Sequence, residues 1–118
     1  MRALTYAVTC VLLASGATFA AEPMAPSDIR ATFFGGQPFT ASTPGGAQFK
    51  KIFTPDGKMT RLHLGKSGRK GHGTWKLDAS GFCTSWTRAQ ATCFTIIPSG
   101  KNKWSVKKGE SIVAMWAK

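Results

Sequence analysis

The chain has 118 residues, of which 42% are hydrophobic and 11% aromatic, and 16 Lys and Arg side chains against 5 Asp and Glu give a formal net charge of +11. This length fills one hydrophobic core, and the aromatic content excludes an intrinsically disordered chain. The positive charge indicates an anionic partner and says little about the fold.

Residues 1–20 have the layout of a secretory signal peptide. Arg2 precedes an apolar run that ends at Leu13, and small residues follow as far as Ala20. A membrane anchor is the alternative, but the run is shorter than the roughly 20 residues of a membrane-spanning helix. Cleavage after Ala20 leaves 98 of the 118 residues and, with Arg2 gone, a net charge of +10. We therefore expect a periplasmic or secreted protein.

The signal peptide also contains Cys10, so its removal leaves Cys83 and Cys93 as an even pair. Two cysteines in a chain sent to an oxidising compartment are typically joined. We expect a disulfide bond between them.

A flexible lead at 21–26 and one folded domain at 27–118 are expected to make up the rest of the chain. Ser27 can act as the N-cap of a short helix that ends at Gly35, although Thr32 and two Phe residues leave a strand at 31–34 as the alternative. From Pro38 onward, alternating polarity and turn signals every eight to twelve residues indicate antiparallel strands.

Two hairpins carry the clearest signals. Strands at 48–53 and 59–64 flank a Pro-Asp-Gly turn at 54–57, and a basic loop at 65–72 precedes a strand at 73–77. Strands at 82–86 and 90–97 form the second hairpin, followed by strands at 103–107 and 111–117. Placing Cys83 opposite Cys93 sets Phe82 against Phe94, Thr84 against Thr92 and Trp86 against Gln90.

About seven antiparallel strands in up-and-down order, with one leading helix, predict a small lipocalin-like barrel. Barrel closure suits such a short sheet because it removes the unpaired strand edges.

The order of several short motifs resembles a family of small secreted proteins of Gram-negative bacteria whose function is unknown. The motifs are Gly-x-Trp ending at Trp75, Cys-x-x-Trp from Cys83 to Trp86, and Cys93-Phe94. The resemblance covers nearly all of the mature chain and implies a secreted β-rich domain with its two cysteines paired. The Gly-x-Trp element is also similar to one in lipocalin-like barrels, where it lies near the start of the barrel rather than in mid-chain.

No catalytic, metal or cofactor motif emerges from the residues. The segment Gly65-Lys66-Ser67 lacks the earlier glycine of a phosphate-binding loop, because Thr60 occupies that position. The two histidines, His63 and His72, do not complete a zinc ligand set. The five acidic residues fall mostly at predicted caps and turns. We expect a non-enzymatic protein without a cofactor. The alternative of an uncharacterised enzyme would need a cleft with convergent polar groups, and the sequence shows no such group of residues.

Positive charge is concentrated between residues 50 and 76 and again between 101 and 108. A solvated surface is the ordinary interpretation, and a binding face for an anionic component of the cell envelope is the functional one. Trp86 and Trp104 are the aromatic candidates, since Trp75 and Trp116 fit a core better. The residues predicted for the basic face are Lys50, Lys51, Lys66, Arg69, Lys70, Lys103, Lys107 and Lys108.

The leading functional hypothesis is therefore an exported binding module for lipopolysaccharide, a phospholipid headgroup, an acidic glycan or an acidic protein. Nucleic acid suits the charge but not the export signal. The alternative is a carrier of a small apolar ligand inside the barrel, lined by Trp75, Trp116, Phe82 and Phe94, in a cavity of roughly 300 Å³ or more.

Overall fold

The computed structural model describes residues 22–65, 68–87 and 89–118. The predicted signal peptide and Lys66 lie outside the described residues. The elements are α1 (Pro26–Phe33), β1 (Phe39–Ser42), β2 (Gln48–Phe53), β3 (Lys58–His63), β4 (Lys70–Leu77), β5 (Phe82–Trp86), β6 (Thr92–Gly100), β7 (Lys103–Lys108) and β8 (Ser111–Ala117).

The strands form a closed antiparallel barrel in sequence order, and β1 pairs with β8 to complete it. This confirms the predicted up-and-down barrel with one leading helix, built from eight strands rather than about seven. Closure pairs the outer strands of what would otherwise be an open sheet, so β1 presents no free edge.

The predicted hairpin at the cysteines is confirmed in its register. Cys83 pairs with Cys93, Phe82 with Phe94 and Thr84 with Thr92, and the two sulfur atoms lie at disulfide-bonding distance. The expected pairing of Trp86 with Gln90 is not made, because β6 begins only at Thr92. The chain turns there instead, as the Ser85 hydroxyl donates to the Ala89 carbonyl at 2.7 Å.

Two local predictions were wrong. The helix begins two residues earlier than expected, and Ala25 rather than Ser27 is its N-cap, without a side-chain hydrogen bond. Pro26 explains this start, because proline has a helix-compatible φ and lacks an N–H that would need a partner in the first turn. The segment from Lys70 to His72, expected in a loop, belongs to β4 and pairs with β3.

The helix closes one end of the barrel with aromatic side chains. Phe34 stacks on Phe53 with ring centroids 4.7 Å apart and also contacts Trp75 and Phe82. Phe33 makes T-shaped contacts with Trp104 and with Trp116, and the ring centroids are 4.9 Å apart in each pair. The predicted lead before the helix is attached as well, since the Met24 N–H donates to the Ile96 carbonyl at 2.7 Å. The hydrophobic core therefore fills the helix end of the barrel.

Candidate anion-binding site at the open end of the barrel

The end of the barrel opposite α1 is open and carries charge inside. Side chains alternate along strands, so Phe53 and Lys51 on β2 face inward together. On β3, Met59 and Arg61 face inward in the same way, and Lys51 lies directly opposite Arg61 in the strand register. Two cations are therefore neighbours inside the barrel, one layer above the aromatic core.

These two cations line a cavity of about 200 Å³ whose other walls are mostly apolar. Phe82 and Trp116 belong to the core and also reach the cavity, so they form its floor. The lining residues are Ala41, Thr43, Phe49, Lys51, Arg61, Phe82, Thr84, Trp86, Phe94, Val106, Val113, Ala114 and Trp116.

The environment of Lys51 disfavours its charged form. Burial, and then the positive charge of Arg61, lower the pKa of the Lys51 ammonium from 10.5 to about 8. Its Nζ lies 5.6 Å from the centroid of the Trp116 ring, a cation–π distance that offsets part of this cost. None of the described acidic residues lines the cavity. The pair therefore keeps an uncompensated positive charge in a partly desolvated space, where an anion would be stabilised.

Aromatic rings hold Arg61 in place. Its guanidinium Cζ lies 4.3 Å from the Trp86 ring centroid and 4.8 Å from that of Phe49. Two glycines of β4 leave room for this stack. A Cβ at Gly73 would lie 2.6 Å from the Met59 Cε and 3.1 Å from Trp86, and one at Gly71 would lie 3.4 Å from Trp86. The Gly-His-Gly sequence of β4 thus provides space for Trp86 and Arg61.

A second depression of about 380 Å³ lies on the outer side of Arg61, between Phe49, His63, Arg69 and Lys70. The His63 Nδ1 atom is buried and has no hydrogen-bond partner among the described residues. Arg61 therefore borders both the inner cavity and a shallower, more basic vestibule.

Four of the eight residues predicted for the basic face lie at strand ends on the open side of the barrel. Arg69 and Lys70 precede or begin β4, and Lys107 and Lys108 end β7, which is the same end by strand direction. Lys107 also lines an outer depression with Asp78 and Ser80 of the turn that follows β4. We call these four residues the basic rim. β4 and β7 are separated by two strands, so the rim consists of two patches on different sides of the mouth rather than one continuous face.

The other predicted basic residues lie elsewhere. Lys50 is exposed on the outer wall of β2, and Lys103 begins β7 at the closed end. Lys51, predicted with Lys50 on the outer face, is inside the barrel.

The aromatic candidates are divided between the two ends. Trp86 lines the cavity, whereas Trp104 packs against Phe33 at the closed end. Trp116, Phe82 and Phe94 line the cavity as expected for a carrier, but Trp75 belongs to the core, where its Nε1 donates to the Thr54 carbonyl at 2.8 Å.

Sequence reasoning missed Arg61 as a site residue. The signal was available, because a hairpin around the turn at 54–57 pairs Lys51 with Arg61 on the face that also carries Phe53 and Met59. Like charges facing each other on an apolar face are destabilising, and such a pair is informative for that reason.

One further group of potential metal ligands consists of Asp78, Cys83 and Cys93. Because the two sulfur atoms are bonded to each other, this group offers a single carboxylate and no thiolate.

The comparisons with known proteins leave the site to be judged on its own geometry. No family model, curated protein or solved structure matches the chain. The resemblance to a secreted family therefore stays a prediction. Within the described residues, the helix is too short and polar to cross a membrane.

Proposed function

We propose that the protein is an exported, non-enzymatic binding module that takes a small organic anion into the open end of its barrel. The observation that carries this proposal is the inward-facing pair Lys51 and Arg61, which lines a cavity free of carboxylates among the described residues. Two neighbouring cations in an apolar space are costly without an anion, and an anion bound between them removes much of that cost.

The walls of the cavity argue against a purely apolar ligand. An uncharged molecule would cover the two cations without replacing the water that solvates them, and desolvated charges without partners are unfavourable. The volume of about 200 Å³ is also below the roughly 300 Å³ at the lower end of common ligand pockets. The ligand supported by both charge and size is a small anion with an apolar body.

The basic rim supports the same proposal from outside. Positive charge around a narrow opening attracts anions and raises their association rate, most strongly at low ionic strength. Arg69 and Lys70 border the vestibule that leads to Arg61, so an attracted anion arrives beside the buried pair.

Calorimetric titration with small carboxylates, sulfonates and phosphate monoesters tests the proposal. Lys51→Met is the informative variant, and Lys50→Met is its matched control, because the two lysines are adjacent on β2 and face opposite sides. We expect binding to the unmodified protein and to the Lys50 variant, and at least a tenfold loss in the Lys51 variant, the effect of one charge-assisted hydrogen bond. Equal affinities of all three proteins, or no binding by any anion, would contradict the proposal.

A second candidate is the attachment of the same end to an anionic envelope surface. The observation that favours it is the basic rim, whose two patches both lie at the open end. Pelleting with vesicles that contain anionic headgroups should depend on salt and fall when Lys107 and Lys108 are both replaced by Gln. Vesicle binding that changes neither with salt concentration nor with this substitution would contradict the second candidate.

A further inference from the structure

The surroundings of Arg61 narrow the chemical class of anion that the cavity can bind. The guanidinium Cζ lies 4.3 Å from the ring centroid of Trp86 and 4.8 Å from that of Phe49, and because these rings carry no lone pairs for its N–H groups, the N–H donors can serve a ligand. These donors lie in one plane and match two oxygen atoms of a carboxylate in a bidentate pair. Lys51, directly opposite, adds a point charge without a planar requirement.

Trp116 carries an unpaired polar atom near the cavity. Its indole Nε1 has no hydrogen-bond partner among the described residues, and a buried donor without a partner is unfavourable by about 1–3 kcal/mol. Because this nitrogen is enclosed by protein atoms, it is not counted among the donors to the ligand.

Size and wall chemistry describe the rest of the ligand. At the packing density of protein interiors, about 0.74, a cavity of about 200 Å³ holds roughly 150 Å³ of ligand, or about ten non-hydrogen atoms. The walls beside the charged pair include Phe94, Trp86 and Val113. Aromatic walls pack well against a flat ring in stacked or edge-on arrangements.

We propose that the ligand is a small aromatic monocarboxylate of about ten non-hydrogen atoms, held through its carboxylate by Arg61 and Lys51 with its ring among the aromatic walls. This inference rests on the proposed function and specifies its ligand class. Ten atoms bind by at most about 1.5 kcal/mol each and more commonly by a fraction of that, so a dissociation constant between micromolar and millimolar is expected.

The test compares four probes by calorimetry and by the indole N–H signals of the four tryptophans. Benzoate and phenylacetate carry both ring and carboxylate, benzamide carries the ring without the charge, and inorganic phosphate carries the charge without the ring. We expect the two carboxylates to bind at least tenfold more tightly than benzamide and phosphate. Their binding should shift the signals of Trp86 and Trp116, while Trp75 and Trp104, at the closed end, act as internal references.

Arg61→Lys separates the bidentate geometry from charge alone. The substitution keeps the positive charge and removes the planar pair of donors, so benzoate affinity should fall at least tenfold. Its thermal unfolding, compared with that of the unmodified protein, shows whether the barrel remains folded, and Lys51→Met provides a second variant expected to weaken benzoate.

The possible failures are distinguishable. If phosphate or a sulfonate binds at Lys51 but benzoate binds no better than benzamide, the ligand class is overturned and the anion-binding function stands. If none of the anions binds, both are overturned. A loss of benzoate affinity of less than threefold in the Arg61→Lys variant would overturn the bidentate geometry.

Discussion

The two ends of this barrel carry different kinds of side chain at their inward-facing positions, aromatic at one end and cationic at the other. At the end covered by α1, inward strand positions carry Phe53 and Phe82, Phe34 packs on them from the end of the helix, and all three rings are 1% exposed. At the other end, the next inward positions carry Lys51 and Arg61, and a cavity remains. The first arrangement stabilises the fold, whereas the second costs stability, and the proposed anion-binding function would account for a costly arrangement inside a small barrel.

The largest effect should come from the closed end. Phe34→Ala removes a ring that stacks on Phe53 and contacts Trp75 and Phe82, and we expect a loss of about 3–5 kcal/mol in the free energy of unfolding. Chemical denaturation measures this loss. Ile112→Ala is the control, because Ile112 is 50% exposed and its truncation should change the free energy by less than about 0.5 kcal/mol. Similar losses in both variants would show that the closed end is not the main stabilising region.

The next effect concerns the barrel wall beside the cavity. β5 and β6 pair over only three residues, and the disulfide between Cys83 and Cys93 joins them there. Replacing both cysteines by Ala should lower the free energy of unfolding by about 3 kcal/mol in the chain-entropy model. Hydrogen exchange should then increase first in β5 and β6. Unchanged hydrogen exchange in these two strands would mean that their backbone hydrogen bonds keep them paired without the disulfide.

The effect of Lys51 on the free energy of unfolding should be opposite in sign to that of the core residues. Its folded-state pKa, about 8, lies below the unfolded value of 10.5, so the unfolded chain binds more protons between these pH values. The contribution of this group to stability therefore rises with pH across that window, by up to about 3 kcal/mol.

Lys51→Met should accordingly stabilise the protein at pH 7 and flatten the rise of stability between pH 8 and 10.5, whereas Lys50→Met should do neither. Denaturation curves at several pH values compare the two variants. A Lys51 variant that is less stable at pH 7 than the Lys50 variant would show that the interior charge is not costly.

The smallest effect on stability is expected at the rim. Lys107→Gln and Lys108→Gln together should change the free energy of unfolding by less than about 0.5 kcal/mol, since both residues are at the surface and the ion pair of Lys107 with Glu110 is long, at 4.0 Å. The association rate of an anion should fall several-fold at low salt and approach that of the unmodified protein at high salt. Lys103→Gln, at the closed end, should leave the rate unchanged, and an equal reduction there would assign the effect to net charge alone.

Much of the wall of the barrel was predictable from local signals. The turn at 54–57 and the two cysteines set two hairpin registers, because each fixes which residues face one another. The length of β4 was not predictable, since Lys70, Gly71 and His72 have the composition of a loop and become a strand only through pairing with β3.

The site was predictable only in part, for a related reason. Lys50 and Lys51 are equivalent in a count of charges, yet alternation along β2 sends one outward and the other inward. Choosing between them requires the apolar neighbours Phe49 and Phe53, which share the face of Lys51. The stack of Trp86 on Arg61 depends on two glycines of β4, the strand between them, where Gly71 pairs with Arg61 and Gly73 with Trp86, and such a contact has no local signal.

The central claim is that Lys51 is an interior cation whose charge is compensated when an anion binds. The titration of Lys51 tests this claim. Nuclear magnetic resonance of the protein with ¹³C-labelled lysine follows each side chain as pH changes, and Lys51→Met identifies the signal. We expect Lys51 to titrate near pH 8 in the free protein and at a higher pH in saturating benzoate, because a bound carboxylate favours the ammonium form. A Lys51 signal that titrates with the exposed lysines near 10.5, and that does not respond to any anion, would contradict the account.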